Sequence, residues 1–176
     1  MALSNEKFAQ IAAAVNDATA GMTEEQFRFR PAGKWSTCDV LEHLALTYGG
    51  TVKGIQKRIV EGPQGGTPTV KQLVGHLLVL EMGVFPFKRK SPEQVAPRGS
   101  MCGADALALL NKNLSEMDAA FDEYKARQGT AGRIANHPIL GPLTFGQWQK
   151  FHLHHALHHV EQIANLRSMQ GMSRGI

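Results

Sequence analysis

Only two cysteines, Cys38 and Cys102, occur among the 176 residues. That excludes a disulfide framework and any paired-cysteine metal motif, and it predicts a reduced, cytoplasmic protein. Charge is scarce as well. Charged residues make up 19% of the chain and the net charge is +4, which suits a small anionic ligand but not the dense basic stripe of a nucleic-acid binder. Long apolar runs are missing. The richest, LVGHLLVLEMGVF (residues 73–85), is broken by His76 and Glu81 and is too short to span a bilayer. Glu6 and Lys7 stand where an export signal would need its apolar core. No serine elbow, phosphate-binding loop or dinucleotide fingerprint is present. What remains is a chain with 43% hydrophobic residues, long enough for one full core and too short for two ordinary domains. Residues 1–176 are therefore read as a single domain.

Helical periodicity accounts for most of its length, and almost nothing reads as strand. The first helix covers residues 5–20, with Phe8, Ile11, Ala12 and Val15 on one side and Gly21 closing it. A connector, TEEQFRFRPAGKW, follows. The second helix opens at Ser36, an N-cap with Asp39 three residues on, and carries a stripe of Val40, His43, Leu44, Thr47, Thr51 and Ile55 until Gly62 and Pro63 stop it. Gly49, Gly50 and Gly54 weaken that helix, so irregularity is expected near residues 49–50, although glycines also permit close helix contact. A shorter third helix occupies residues 69–82. A proline-rich loop with Lys88, Arg89, Lys90 and Arg98 leads to a fourth helix at residues 103–126, whose face holds Leu107, Leu110, Leu114, Met117 and Phe121. After the loop GTAGRIANHPILGPL, Thr144 and Gln147 form a capping box for a last helix running to Met169. The fold class expected is all-α, an antiparallel four-helix bundle with an additional short helix.

Function concentrates in FHLHHALHHVEQ (residues 151–162), where five histidines fall within eight positions. Trp148, Phe151, His152, His155, His159, Gln162, Ile163 and Leu166 recur at three- and four-residue spacing, so they share the inward face. His155 and His159 then lie one turn apart in a buried setting, close enough to hold one cation between them. His154 and His158 keep company with Lys150, Glu161 and Asn165 and look solvent-facing. Two buried imidazoles without partners are costly. A metal ion removes that cost, and so does a carbonyl or hydroxyl for each ring. A third ligand comes best from His43 on the inward stripe of the second helix, with His76 and His137 as competitors. His137 precedes Pro138, whose constraint on the backbone could aim the ring into a pocket.

RPAGKWSTCDVLEHLA (residues 30–45) followed by HALHHVEQI (155–163) resembles the DinB-like superfamily of metal-binding four-helix bundles, and HPILGPLTFGQWQKF resembles a branch of it described mainly as a domain of unknown function. The resemblance covers nearly the whole chain. It implies a metal, zinc or nickel, held by His43, His155 and His159, with Gln162 matching the pattern's glutamine and His158 adjacent to a ligand without being one. It also implies frequent homodimers and, in some relatives, thiol-dependent transferases or isomerases that use a low-molecular-weight thiol. Phe151 stands where relatives often carry a further aromatic or histidine, with His152 beside it, so a register in which His152 assists His155 or replaces His159 stays open.

Three neutral ligands leave a cation its full charge, and an open fourth position can acidify a bound water or thiol. The reaction classes expected are therefore metal-dependent hydrolysis or thiol transfer on a small-molecule substrate, with a non-catalytic metal-binding or stress-response module as the alternative. Asp39, one turn before His43, is read either as the acceptor that orients its ring or as a helix cap. Gln162 orients a ligand or bonds across the bundle. Trp148 and Phe151 wall the pocket or pack the core. The basic loop recruits an anionic substrate or is simply solvated, and Cys38 is read as a small packing residue.

Overall fold

Capping boxes set the starts of most helices. The chain is described by a computed structural model over residues 3–85, 91–99, 101 and 103–171. α1 (Glu6–Thr19) is capped by the Asn5 side chain and buries Phe8, Ile11 and Val15. α3 (Thr37–Glu61) begins with the Ser36–Asp39 box and ends at Gly62, whose φ of 80° no other residue type adopts readily. α5 spans Gly103–Gln128 and α6 spans Phe145–Met169, the latter opened by the Thr144–Gln147 box. The third helix expected from the sequence is two pieces: α4 (Val70–Gly75) and a π-helical turn, His76–Glu81. Part of the connector after α1 is also helical. Thr23 and Gln26 form a reciprocal capping box over α2 (Glu24–Arg28).

The last interhelical stretch is not a plain loop. Residues Arg133–His137 (β1) and Gly141–Thr144 (β2) pair antiparallel, and Gly141 turns the chain at φ 70°, as a three-residue hairpin requires. The short strands carry Pro138 and Pro142 in or beside them, which masked the pattern in the sequence. Trp148 Nε1 donates to Ala135 O at 3.3 Å, so this tryptophan fastens the hairpin to α6 and belongs to the packing rather than to a pocket wall.

Hydrogen bonds and ring contacts give the helix directions. Asn113 Nδ2 donates to Ala45 O at 2.8 Å and Gln128 Nε2 to Ile59 O at 2.9 Å, so α3 and α5 run parallel. Phe8 packs on His152, and Arg167 donates to Ala18 O, so α1 and α6 also run parallel. Tyr48 meets His152 while His43 meets His159, which makes the two pairs antiparallel to each other. Parallel neighbours in sequence need a crossover the length of the bundle, here residues 62–102. Of its described residues, Phe85 reaches His155 and Val95 reaches His43.

α3 is unbroken at residues 49–50, contrary to the expected irregularity. A Cβ on Gly49 would lie 3.0 Å from the Asn113 amide, so the glycine serves close approach of α5 and the tight packing outweighs its low helix propensity. Gly103 is more confined, since the Phe27 ring of α2 occupies the place of its Cβ. Gly54 is exposed with open space around it. Gly103→Ala is therefore expected to destabilise by about 1–3 kcal/mol through overpacking, while Gly54→Ala stabilises by about 0.5–1 kcal/mol. Urea unfolding of the two variants should give opposite signs.

Candidate metal site

Three imidazoles meet between α3 and α6. His155 Nε2 lies 3.2 Å from His43 Nε2 and 3.1 Å from His159 Nε2, and one ring nitrogen from each residue falls within 4.8 Å of the others. Ligands about 2.0–2.1 Å from a tetrahedral ion stand roughly 3.3 Å apart, so the spacing fits one cation. The outer nitrogens show why these rings present lone pairs to one another. His43 Nδ1 donates to the Val95 carbonyl at 2.8 Å, and a carbonyl only accepts. Nδ1 therefore carries the proton and Nε2 the lone pair. His159 Nδ1 donates to Gln162 Oε1 at 2.9 Å, and Gln162 Nε2 donates to His158 Nε2 at 3.0 Å. With two lone pairs already turned inward, a single proton on His155 Nε2 could satisfy only one of them, whereas a cation takes all three. His155 Nδ1 is buried without a protein partner.

Burial keeps the cluster neutral. His43 is 4% and His159 6% exposed. Desolvation lowers the pKa of His43, with the Val95 carbonyl working weakly against it. It pushes His155 well below 6.5, aided by His159 and His43, and takes His159 down to about 3, with His43 adding to the fall. Neutral imidazole is the form that ligates. Trp35 stacks along His159 and tilts against His43, with centroids 6.1 and 5.1 Å away. Phe85 borders His155 and His158 at 6.0 and 5.0 Å. Aromatic surface therefore walls the approach to the nitrogens on two sides.

Other expected residues are placed elsewhere. Asp39 accepts from Ser36 N and Oγ and from Arg30. It is a cap and an ion-pair partner, and the acceptor on the His43 ring is a backbone carbonyl instead. Gln162 orients His159 directly. His76 donates to Leu140 O and His137 Nδ1 accepts from Ile139 N and Leu140 N, so both competitors for the third position serve the hairpin. His152 is fully buried against Phe8, Tyr48, Trp148 and Phe151, outside the cluster. His158 is drawn to the site by Gln162 and Phe85 rather than left to solvent. Residues 88–90 and Cys102 lie outside the described residues. Trp35, Phe85 and Val95 were missed. Trp35 stood in the quoted motif without an assigned role, and a backbone carbonyl such as that of Val95 has no side-chain signature.

A family model described as the DinB superfamily matches residues 7–163. The chain belongs to the DinB superfamily. Its relatives include the uncharacterized protein YuaE from Bacillus subtilis (strain 168), 25% identical over 149 residues, covering 84% of this chain and 86% of YuaE. The DinB fold is shared with YfiT from Bacillus subtilis, described as a probable metal-dependent hydrolase with an unusual four-helix bundle topology; its solved structure superposes with a TM-score of 0.61 at 17% identity, covering 96% of this chain and 86% of YfiT. Among the described residues of this DinB protein, no helix is long and apolar enough to cross a membrane.

Histidines held neutral make stability depend on pH. Burial, with His137 nearby, lowers His152 from 6.5 to about 3, and burial with His76 nearby lowers His137 to about 4. Between those values and 6.5 the unfolded chain binds protons that the folded one does not, so this stability is full above pH 6.5 and is lost as pH falls through the folded values. In chelator-treated protein the unfolding midpoint is expected to drop from about pH 7 to about pH 4, and His152→Leu should flatten the drop. Equal slopes in the two proteins would contradict a buried neutral His152.

Proposed function

We propose that this DinB-superfamily protein is a metal-dependent hydrolase of a small-molecule substrate, with zinc or nickel held by His43, His155 and His159. One observation carries the reading: three Nε2 atoms from two helices stand 3.1–3.2 Å apart along the cluster, with two of the rings fixed from behind by acceptors. The likeness to YfiT, itself described as a probable metal-dependent hydrolase, supports the same class. When bound, such an ion supplies a Lewis acid that acidifies water at an open position and polarises a carbonyl. The protein's own groups hold and shape the site. Val95 and Gln162 keep His43 and His159 in the ligating tautomer, as outer acceptors do. Trp35 and Phe85 exclude bulk water and favour a substrate with apolar surface. His158, bonded through Nε2 to Gln162, holds its proton on Nδ1 at the rim.

Protein purified without chelator is expected to carry about one zinc or nickel per chain, and His159→Ala to lose it. A panel of esters, amides and lactones should yield hydrolysis that vanishes with chelator and returns with metal. Turnover seen only with an added low-molecular-weight thiol would replace hydrolysis by thiol transfer at the same site. Metal binding that raises the unfolding temperature while every panel stays silent would leave a non-catalytic module. Elemental analysis finding no metal overturns the proposal outright.

A further inference from the structure

Residues 95–99 of the crossover are fastened to α3 beside His43. Glu42, the residue before it, is 3% exposed. Its Oε2 accepts from two consecutive backbone amides, Arg98 N at 3.1 Å and Gly99 N at 3.0 Å. Gly99 adopts a φ of 69°, the left-handed turn that lets adjacent amides face one oxygen. Three residues earlier in the same segment, a 3₁₀ turn at Glu93–Val95 delivers the Val95 carbonyl to His43 Nδ1 at 2.8 Å. The strap thus meets α3 through two neighbouring side chains: a carboxylate that grips its amides and an imidazole that needs its carbonyl.

We infer that Glu42 is a positioning residue of the metal site, holding residues 95–99 so that Val95 fixes the ring and tautomer of His43. A buried carboxylate is costly unless it is fully engaged, and charge-assisted bonds to amides are stronger than neutral ones, so this grip is firmer than the bond it supports. Without it, the strap loses the two amide bonds that hold Arg98 and Gly99 to α3, the His43–Val95 bond has to hold the segment itself, and the Nδ1 proton becomes accessible to water. The inference rests on the three-histidine reading for its functional meaning, but the structural link is testable without any metal.

The experiment uses the full chain. In chelator-treated protein, imidazole NMR of His43 should show Nδ1 protonated and its proton protected from exchange. Glu42→Ala should abolish that protection, Glu42→Gln, which keeps an acceptor oxygen, should retain most of it, and Arg98→Pro, which deletes one amide from the strap side, should weaken it even where Glu42→Ala folds poorly. Leu114→Ala, a core change in α5, serves as the control for lost stability and should leave protection intact. Zinc titration should then give a ten- to hundredfold weaker affinity for Glu42→Ala, with Glu42→Gln close to the parent. Protection or zinc affinity unchanged in Glu42→Ala, or falling no more than in Leu114→Ala, overturns the role of Glu42. A parent protein with a protected His43 proton and no zinc binding would overturn the metal reading while leaving the strap contact in place.

Discussion

Everything at this site depends on three imidazole rings being neutral and turned inward together. In water a histidine exchanges tautomers freely and gains nothing from pointing a lone pair at another lone pair. Here each ring is desolvated, which suppresses the cationic form, and two rings are anchored through Nδ1 by Val95 and Gln162. The mutual repulsion of the inward nitrogens is the cost of that arrangement, offset when a cation is present. On the proposed reading folding prepares a ligand set that binding completes, and affinity for a metal and stability of the bundle are then linked quantities.

The bundle supplies the rigidity this requires. α3 and α6 run antiparallel and bring His43 opposite His155 and His159, while their parallel partners α5 and α1 lock each from behind. Asn113 and Gln128 tie α5 to α3 through backbone carbonyls, and Arg167 ties α6 to the end of α1. His155 and His159 therefore sit mid-helix, where fraying is least, and His43 lies in the second turn of α3 behind the Ser36–Asp39 capping box. The crossover is different in kind. It holds a π-helical turn, a feature frequent near functional sites, then Gly83, whose missing Cβ admits the His154 ring, then Phe85 and the strap.

Much of this was legible in the amino-acid order because helix periodicity and capping boxes are local. Ser36–Asp39 and Thr144–Gln147 announced both site helices, and the spacing of His43, His155 and His159 placed all three rings on inward faces. What stayed hidden was non-local or unsigned by side chains. The direction of α5 relative to α3 depends on which faces close-pack, visible only once Asn113 meets Ala45 and Gln128 meets Ile59. The β-hairpin was concealed by its prolines. Asp39 and Glu42 are both acidic residues near a ligand, yet one caps a helix and the other grips a distant loop, a division that residue type cannot reveal. His76 and His137 matched the ligand chemistry as well as His43 did, and only the fold sends them to the hairpin.

Because α3 and α5 point the same way, the polypeptide must travel back along some 37 Å of helix before α5 can begin. On that return journey Phe85 comes against His155 and the Val95 carbonyl reaches His43. The aromatic wall that a visiting molecule meets is therefore shared, with Phe85 coming from the returning segment and Trp35 from the lead into α3, while the three histidines stand on helices against which that segment also packs, Val79 and Leu80 joining the core. A new wall on such a scaffold enters at Phe85 without touching the bundle helices, provided the two points where the returning segment grips α3, Glu42 and His43, are kept.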